Sequence, residues 1–279
     1  MAGAPPAPRP ARRASRGAGP VGVPPAGCPV SRHALVVGAS SGIGAAVAQT
    51  LLRSGWHVTI AARRLDALAA LAERLGPACV PVAVDVTDAE SVARLARTVR
   101  NGAMDLHALV NCAGHDIGGR TPFHRSDIDD AVSVLETNTV GLLRLTHAML
   151  PSLAKASPAD VVNIGSVNGV RPAAGLAAYS ASKFAVRGFT EALREECAEI
   201  GVRVTEVLPG MTRTGFAAAR WHGDEARAAA YYDGYPGLLD PADVARAVRF
   251  ALEQPPGVCC SEITILPFSG REDEGARES

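Results

Sequence analysis

The sequence predicts an α/β fold: one domain over residues 33–268, built as a doubly wound, mostly parallel, seven-stranded sheet with helices on both faces. Three observations predict it. Seven short β-branched runs are largely apolar, longer segments of helical periodicity separate them, and a glycine-rich turn directly follows the first run. Strands without polar alternation belong to a parallel sheet covered on both sides. Right-handed crossovers then wind the chain into a Rossmann-type domain.

The chain has 279 residues, 47% of them hydrophobic, enough for one large core or two small ones. Basic and acidic side chains balance at 28 each, but Arg9, Arg12, Arg13, Arg16 and Arg32 fall in the first 32 residues, leaving 23 basic against 28 acidic groups in the body. A nucleic-acid partner is therefore not expected, because phosphate binding needs a concentrated basic face. Residues 1–32, rich in Ala, Pro, Gly and Arg and without an apolar run, read as a disordered tail, and residues 269–279 as a polar C-terminal tail. Arg12-Arg13 resembles a twin-arginine signal without its apolar stretch. No segment reaches the roughly 18 apolar residues of a membrane helix, so a cytoplasmic protein with no membrane partner is expected. Cys28, Cys79, Cys112, Cys197, Cys259 and Cys260 lack metal-ligand spacing and read as small buried hydrophobes, the Cys259-Cys260 pair as strand filling. No metal is expected.

The strand-like runs are 34–37, 58–61, 80–84, 106–110, 161–164, 203–207 and 263–266, with helical stretches near 43–54, 65–75, 89–100, 127–155, 175–200 and 241–253. After the first strand comes Gly38-Ala39-Ser40-Ser41-Gly42-Ile43-Gly44, opening the first helix. Glycines there let backbone N–H groups approach a pyrophosphate at a helix N-terminus, which makes dinucleotide binding the expectation. The second strand ends in Ala61-Ala62-Arg63-Arg64, where an NAD site carries an acidic residue. Arg63 and Arg64 suit a 2′-phosphate, so NADP(H) is favoured over NAD(H). The alternative is that both arginines only solvate the next helix. Asp85 and Val86, after the third strand, are expected beside the adenine. Residues 211–240, with Trp221, Tyr231 and Tyr232 and weak periodicity, suit a ligand-covering flap or a plain surface insertion.

Tyr179 and Lys183 stand at i and i+4 on a helix and share one face. An ammonium beside a phenol favours the phenolate, so a lowered tyrosine pKa is expected. The chain has four tyrosines and only two lysines, Lys155 and Lys183, against 26 arginines, so this spacing seldom arises by chance; the alternative is a surface pair at helical spacing. Ser166, at the end of the fifth strand, can bond a substrate oxygen or simply close the strand through the local backbone.

In combination these residues resemble the short-chain dehydrogenase/reductase family over about residues 33–268. The resemblance rests on the Gly38–Gly44 loop, Asn111-Cys112-Ala113-Gly114, Asn138, Ser166, Tyr179-x-x-x-Lys183 and Pro209-Gly210, in that order. It implies an NADP-dependent oxidoreductase acting on CH-OH/C=O groups, with Tyr179 as general acid in reduction and base in oxidation. It further implies that Lys183 binds the nicotinamide ribose, that Ser166 orients the carbonyl, and that Asn138 holds a water in the proton relay. Pro209, Gly210, Thr212 and Thr214 would contact the nicotinamide and phosphates, joining Gly38, Ser40, Ser41, Gly42, Ile43, Gly44, Asn111, Ala113, Gly114 and Tyr179 at the cofactor. A homodimer or homotetramer is also implied. Two positions depart from the pattern: Val37 stands for a threonine and Cys112 for an asparagine, which removes polar anchors but no proton-transfer group.

The favoured function is a ketone or aldehyde reductase; the high Ala, Arg and Gly content resembles GC-rich bacterial coding and suggests specialised metabolism. A non-catalytic NADP(H) sensor on the same fold is the alternative, though it has no need of Ser166, Tyr179 and Lys183 together. Sugar-nucleotide epimerases share a Tyr-Lys pair, but generally carry a further substrate domain. His115, Asn168 and Met211, together with Asp116 and Val170, are expected to border the substrate pocket.

Overall fold

The computed structural model describes residues 32–268, and both tails read above lie outside them apart from Arg32. Seven strands, β1 (His33–Val37), β2 (His57–Ala62), β3 (Cys79–Ala83), β4 (Ala108–Asn111), β5 (Ala159–Ile164), β6 (Val202–Pro209) and β7 (Glu262–Ile265), form one sheet in the order 3-2-1-4-5-6-7. Every neighbouring pair is parallel. The order reverses between β1 and β4, and a crevice opens at that switch point, at the carboxyl ends of the strands.

Apolar character on both strand faces has a direct packing consequence. Along β1, Ala34 and Val36 join one core with α1 (Gly42–Arg53), α2 (Leu65–Leu75) and α9 (Pro241–Leu252). Leu35 and Val37 join the other, with α3 (Ala89–Arg100), α5 (Leu142–Leu153) and α6 (Ala177–Cys197). Leu35, Leu51, Ile60, Leu109 and Met149 are fully buried, each contributing about 1.5–3 kcal/mol relative to exposure.

Local chemistry sets several element ends. The α9 helix begins with a capping box between Asp240 and Asp243 and has Pro241 in its first turn. The expected helix over 127–155 is three segments: α4 (Ile128–Leu135), a π-helical turn (Glu136–Gly141) and α5. Gly141 lets the start of α5 close on Val86, because a Cβ there would stand 2.7 Å from Val86 Cγ2. In the region expected to form a flap, α7 (Phe216–Arg220) and α8 (Glu225–Asp233) pack through Ala217, Ala218, Ala228 and Tyr232.

The cysteine reading needs one correction. Cys79 and Cys197 are buried as expected, but Cys259 is exposed and Cys260 half-buried, in the loop before β7 rather than inside it. Among the described residues no cluster could hold a metal ion, and no helix is long and apolar enough to cross a membrane.

Candidate active site

A cavity of about 780 Å³ occupies the switch-point crevice. At one end, the loop after β1 turns under α1. Gly38 (φ +85°) packs against the loop after β4, where a Cβ would stand 2.5 Å from the Ala113 amide nitrogen. Gly44 lies across Gly38, and a Cβ there would meet the Gly38 carbonyl oxygen at 2.4 Å. The α1 N-cap, Ser41, makes no side-chain cap bond, and the first turn holds no acidic residue, so the helix N-terminus is free to receive an anion. Arg64 Nη2 donates to Ser40 Oγ at 3.1 Å, and Arg63 and Arg64 are exposed at the rim. Asp85 and Val86 complete this end. Burial pushes the Asp85 carboxyl up, but bonds donated by Thr87 and the charge of Arg63 leave it below its ordinary value. A glycine cradle at a helix N-terminus, flanked by two guanidinium groups, fits the dinucleotide with a 2′-phosphate.

The other end holds the proton-transfer candidates. Ser166 follows β5, and its Oγ accepts from the Asn168 amide at 3.1 Å. Tyr179 and Lys183 lie on α6, both buried and both lining the cavity with Ser166. Phe216 packs edge-on against the Tyr179 ring, 5.6 Å between centroids. Lys183 Nζ donates to the Ile164 carbonyl at 2.9 Å and lies 5.8 Å from the Tyr179 ring centroid. Burial pushes the Tyr179 phenol up to about 12, against the pull of a hydrogen bond with Ser166. The expected lowering of this pKa is therefore not what the folded chain produces: desolvation of the phenolate outweighs any neighbouring cation. Burial also pushes Lys183 down to about 8, opposed by the Glu206 carboxylate.

The structure brings nearly all the expected residues to the cavity. Gly38, Ser40, Ser41, Gly42, Ile43, Gly44, Arg63, Arg64, Asp85, Val86, Ala113, Gly114, His115, Ser166, Asn168, Tyr179, Lys183, Pro209, Gly210, Met211, Thr212 and Thr214 all line it. Four positions lie elsewhere. Asn111 is buried behind the cavity, where its Nδ2 donates to Asn163 Oδ1 at 2.7 Å and Thr146 Oγ1 at 3.0 Å, tying β4 to β5 and α5. Asn138, in the π-turn, accepts from the His115 amide at 2.9 Å and donates to the His115 carbonyl at 2.9 Å and to Ser182 Oγ at 3.1 Å. It thus clamps the loop after β4 to α6. Asp116 turns away into a buried ion pair, its Oδ2 2.7 Å from Arg220 Nε. Val170 is exposed and outside the lining.

His115 lines the cavity with its Nε2 3.1 Å from Thr137 Oγ1. Burial, assisted by Arg63, holds its pKa below the ordinary value. Cys112, where the family pattern has asparagine, is pushed up to about 12 by burial and stays a thiol. Sequence reading missed Thr137, Phe216, Arg220 and Glu225 in the lining, and Glu206 behind Lys183. Glu206 left a visible signal, a carboxylate in the middle of strand β6; Arg220 left none beyond its place in the flap region.

Comparison with known proteins agrees with this geometry. The family model for short chain dehydrogenase matches residues 32–225. A "Probable NADP-dependent dehydrogenase" of Haemophilus influenzae is 33% identical over 235 residues, covering 84% of this chain and 92% of that protein. An "NADP-dependent 3-hydroxy acid dehydrogenase" of Schizosaccharomyces pombe is 32% identical over 238 residues, covering 84% and 91%. A solved structure described as the closed form of serine dehydrogenase complexed with NADP+ superposes with a TM-score of 0.81 at 28% identity, covering 88% of this chain and 99% of that one. The glycine cradle, the Ser166–Tyr179–Lys183 end and these likenesses lead to one conclusion: the chain belongs to the short chain dehydrogenase family.

Proposed function

We propose that this chain is an NADP(H)-dependent oxidoreductase that reduces a ketone or aldehyde to an alcohol. The observation that carries the reading is the convergence of Ser166, Tyr179 and Lys183 at one end of a cavity whose other end is a glycine cradle with two arginines at its rim. Relatives and a solved neighbour whose names include NADP support the cofactor.

When bound, the reduced nicotinamide supplies a hydride. The Ser166 hydroxyl orients the substrate oxygen, and the Tyr179 phenol gives up its proton to that oxygen as charge develops there. A phenol held up at about 12 stays protonated throughout the neutral range, which suits a general acid in reduction. The Lys183 ammonium, fixed by the Ile164 carbonyl, stabilises the phenolate that forms, and would hold the ribose hydroxyls of a bound cofactor. Asn138 holds the His115 segment against α6 and with it the floor of this end; a relay water would enter beside it. Exposed Ile128, Val132, Val140, Leu143 and Phe184 on α4 to α6 support a homodimer or homotetramer, which a monomeric mass by light scattering would refute.

The test mixes purified protein with NADPH and a panel of ketones and aldehydes, following loss of reduced-nicotinamide absorbance. Turnover of at least one carbonyl is expected. Tight NADPH binding without turnover of any would replace the reductase reading by the sensor reading.

A further inference from the structure

Arg220 does more than line the cavity. It is 4% exposed, at the end of α7, and shares the cavity wall with Ser166 and Tyr179. Its Nε donates to Asp116 Oδ2 at 2.7 Å, and its guanidinium carbon lies 4.8 Å from the Tyr231 ring centroid and 5.6 Å from that of Trp221. The backbone adds a further tie, since the Gly119 amide donates to the Arg220 carbonyl at 3.0 Å. These contacts fix the guanidinium but leave its Nη1 buried with no hydrogen-bond partner. A buried, unpaired cationic donor is costly unless a ligand completes it.

The surrounding charges define what would complete it. Asp116 pairs with Arg220, and burial pushes its carboxyl up against the pull of Arg220 and, more weakly, of Arg120. Glu225 is the acidic member of the same lining, while Asp85 stands at the far, adenosine end. Phe216, on the same short helix as Arg220, packs against the Tyr179 ring, which sets the pair beside the reacting end of the cavity. A guanidinium held rigidly with a free N–H matches a carboxylate in shape and charge.

We propose that Arg220 anchors a carboxylate carried by the substrate, so that the preferred substrates are oxo acids and the corresponding hydroxy acids rather than neutral ketones. This rests on the reductase reading above. The substrate is then held at two points, its carbonyl oxygen at Ser166 and Tyr179 and its carboxylate at Arg220. Asp116 is a positioning residue that aims the guanidinium.

The experiment compares kcat/KM with NADPH for short 2-, 3- and 4-oxo acids and for their methyl esters, in the wild type, R220M and R220K. For at least one chain length the wild type should prefer the acid. In R220M the acid-to-ester ratio should fall by about 30-fold or more, mainly through KM, as expected for loss of a charge-assisted bond. R220K should recover part of the ratio. Because removing Arg220 alone strands a buried Asp116, the double variant D116N/R220M is measured as well and should show the same fall. Equal use of acids and esters by the wild type, or a ratio unchanged in both R220M and D116N/R220M, overturns the anchor while leaving the reductase reading standing. A wild type that binds NADPH but reduces neither acids nor esters defeats the reductase reading, and the anchor with it.

Discussion

Replacing Arg63 and Arg64 by alanine should abolish the preference for NADPH over NADH. The two side chains stand at the cavity rim beside Ser40, and Arg64 already donates to the Ser40 hydroxyl at 3.1 Å. A 2′-phosphate placed there receives two guanidinium groups. Charge-assisted hydrogen bonds contribute about 1.5–3 kcal/mol each; both arginines are exposed, so solvent screening places each near the low end, about 1.5 kcal/mol. The pair then accounts for about 3 kcal/mol, which is roughly a 100-fold loss in NADPH affinity, with each single variant losing about 10-fold. NADH, lacking the phosphate, should change by less than about 3-fold. The assay is kcat/KM for both cofactors at fixed substrate, repeated at low and high ionic strength, with the wild-type preference shrinking as salt rises. An unchanged preference in R63A/R64A refutes the assignment and returns both arginines to solvating the start of α2.

Other expectations follow from single contacts. Y179F should reduce kcat by about 10²–10⁴, the range for loss of a general acid, while NADPH titration gives a near-normal affinity. Lys183 has its folded pKa depressed to about 8, so its ammonium is lost as pH rises through that value, whereas Tyr179 at about 12 keeps its proton; kcat/KM for reduction should fall above about pH 8, and a profile flat to high pH would contradict this. G44A forces a Cβ to within 2.4 Å of the Gly38 carbonyl oxygen, backbone that cannot swing aside; thermal unfolding should show a loss of about 1–3 kcal/mol together with weakened NADPH binding. The Asp160 carboxylate accepts from Arg203 Nε at 2.8 Å and Nη2 at 2.9 Å, both side chains largely buried. D160A removes the counter-ion of Arg203, which keeps its bonds to the carbonyls of Gln254, Pro255 and Val258, and denaturant unfolding should register a loss of about 1–3 kcal/mol.

What could be read from the chain follows the range of the interactions involved. The strands were legible because both faces of a covered parallel sheet must be apolar, and the helix near 241–253 because its periodicity is local. The glycine loop and the Tyr179–Lys183 face were legible for the same reason. The π-turn at 136–141 was not: its residues continue the helical pattern, and the extra turn is set by Gly141 closing on Val86, 55 positions earlier in the chain. The buried Asp116–Arg220 pair joins residues 104 apart, and no spacing rule reaches that far. Helical spacing placed Lys183 correctly beside Tyr179, but it carries no information about burial, and burial decided the direction of the tyrosine pKa. Asn111 looked like a cofactor contact from its motif, yet its side chain turns to Asn163 and Thr146, a choice made by the neighbouring strand and helix.

The central claim is hydride transfer to a substrate carbon with Tyr179 supplying the proton. Its most direct test uses NADPH carrying deuterium at both C4 positions with a carbonyl compound the protein turns over, and mass spectrometry of the alcohol formed. The account predicts one deuterium on the carbinol carbon of the wild-type product and strongly slowed formation of the same labelled product by Y179F. A product alcohol without deuterium, or a Y179F variant as fast as the wild type, would contradict it.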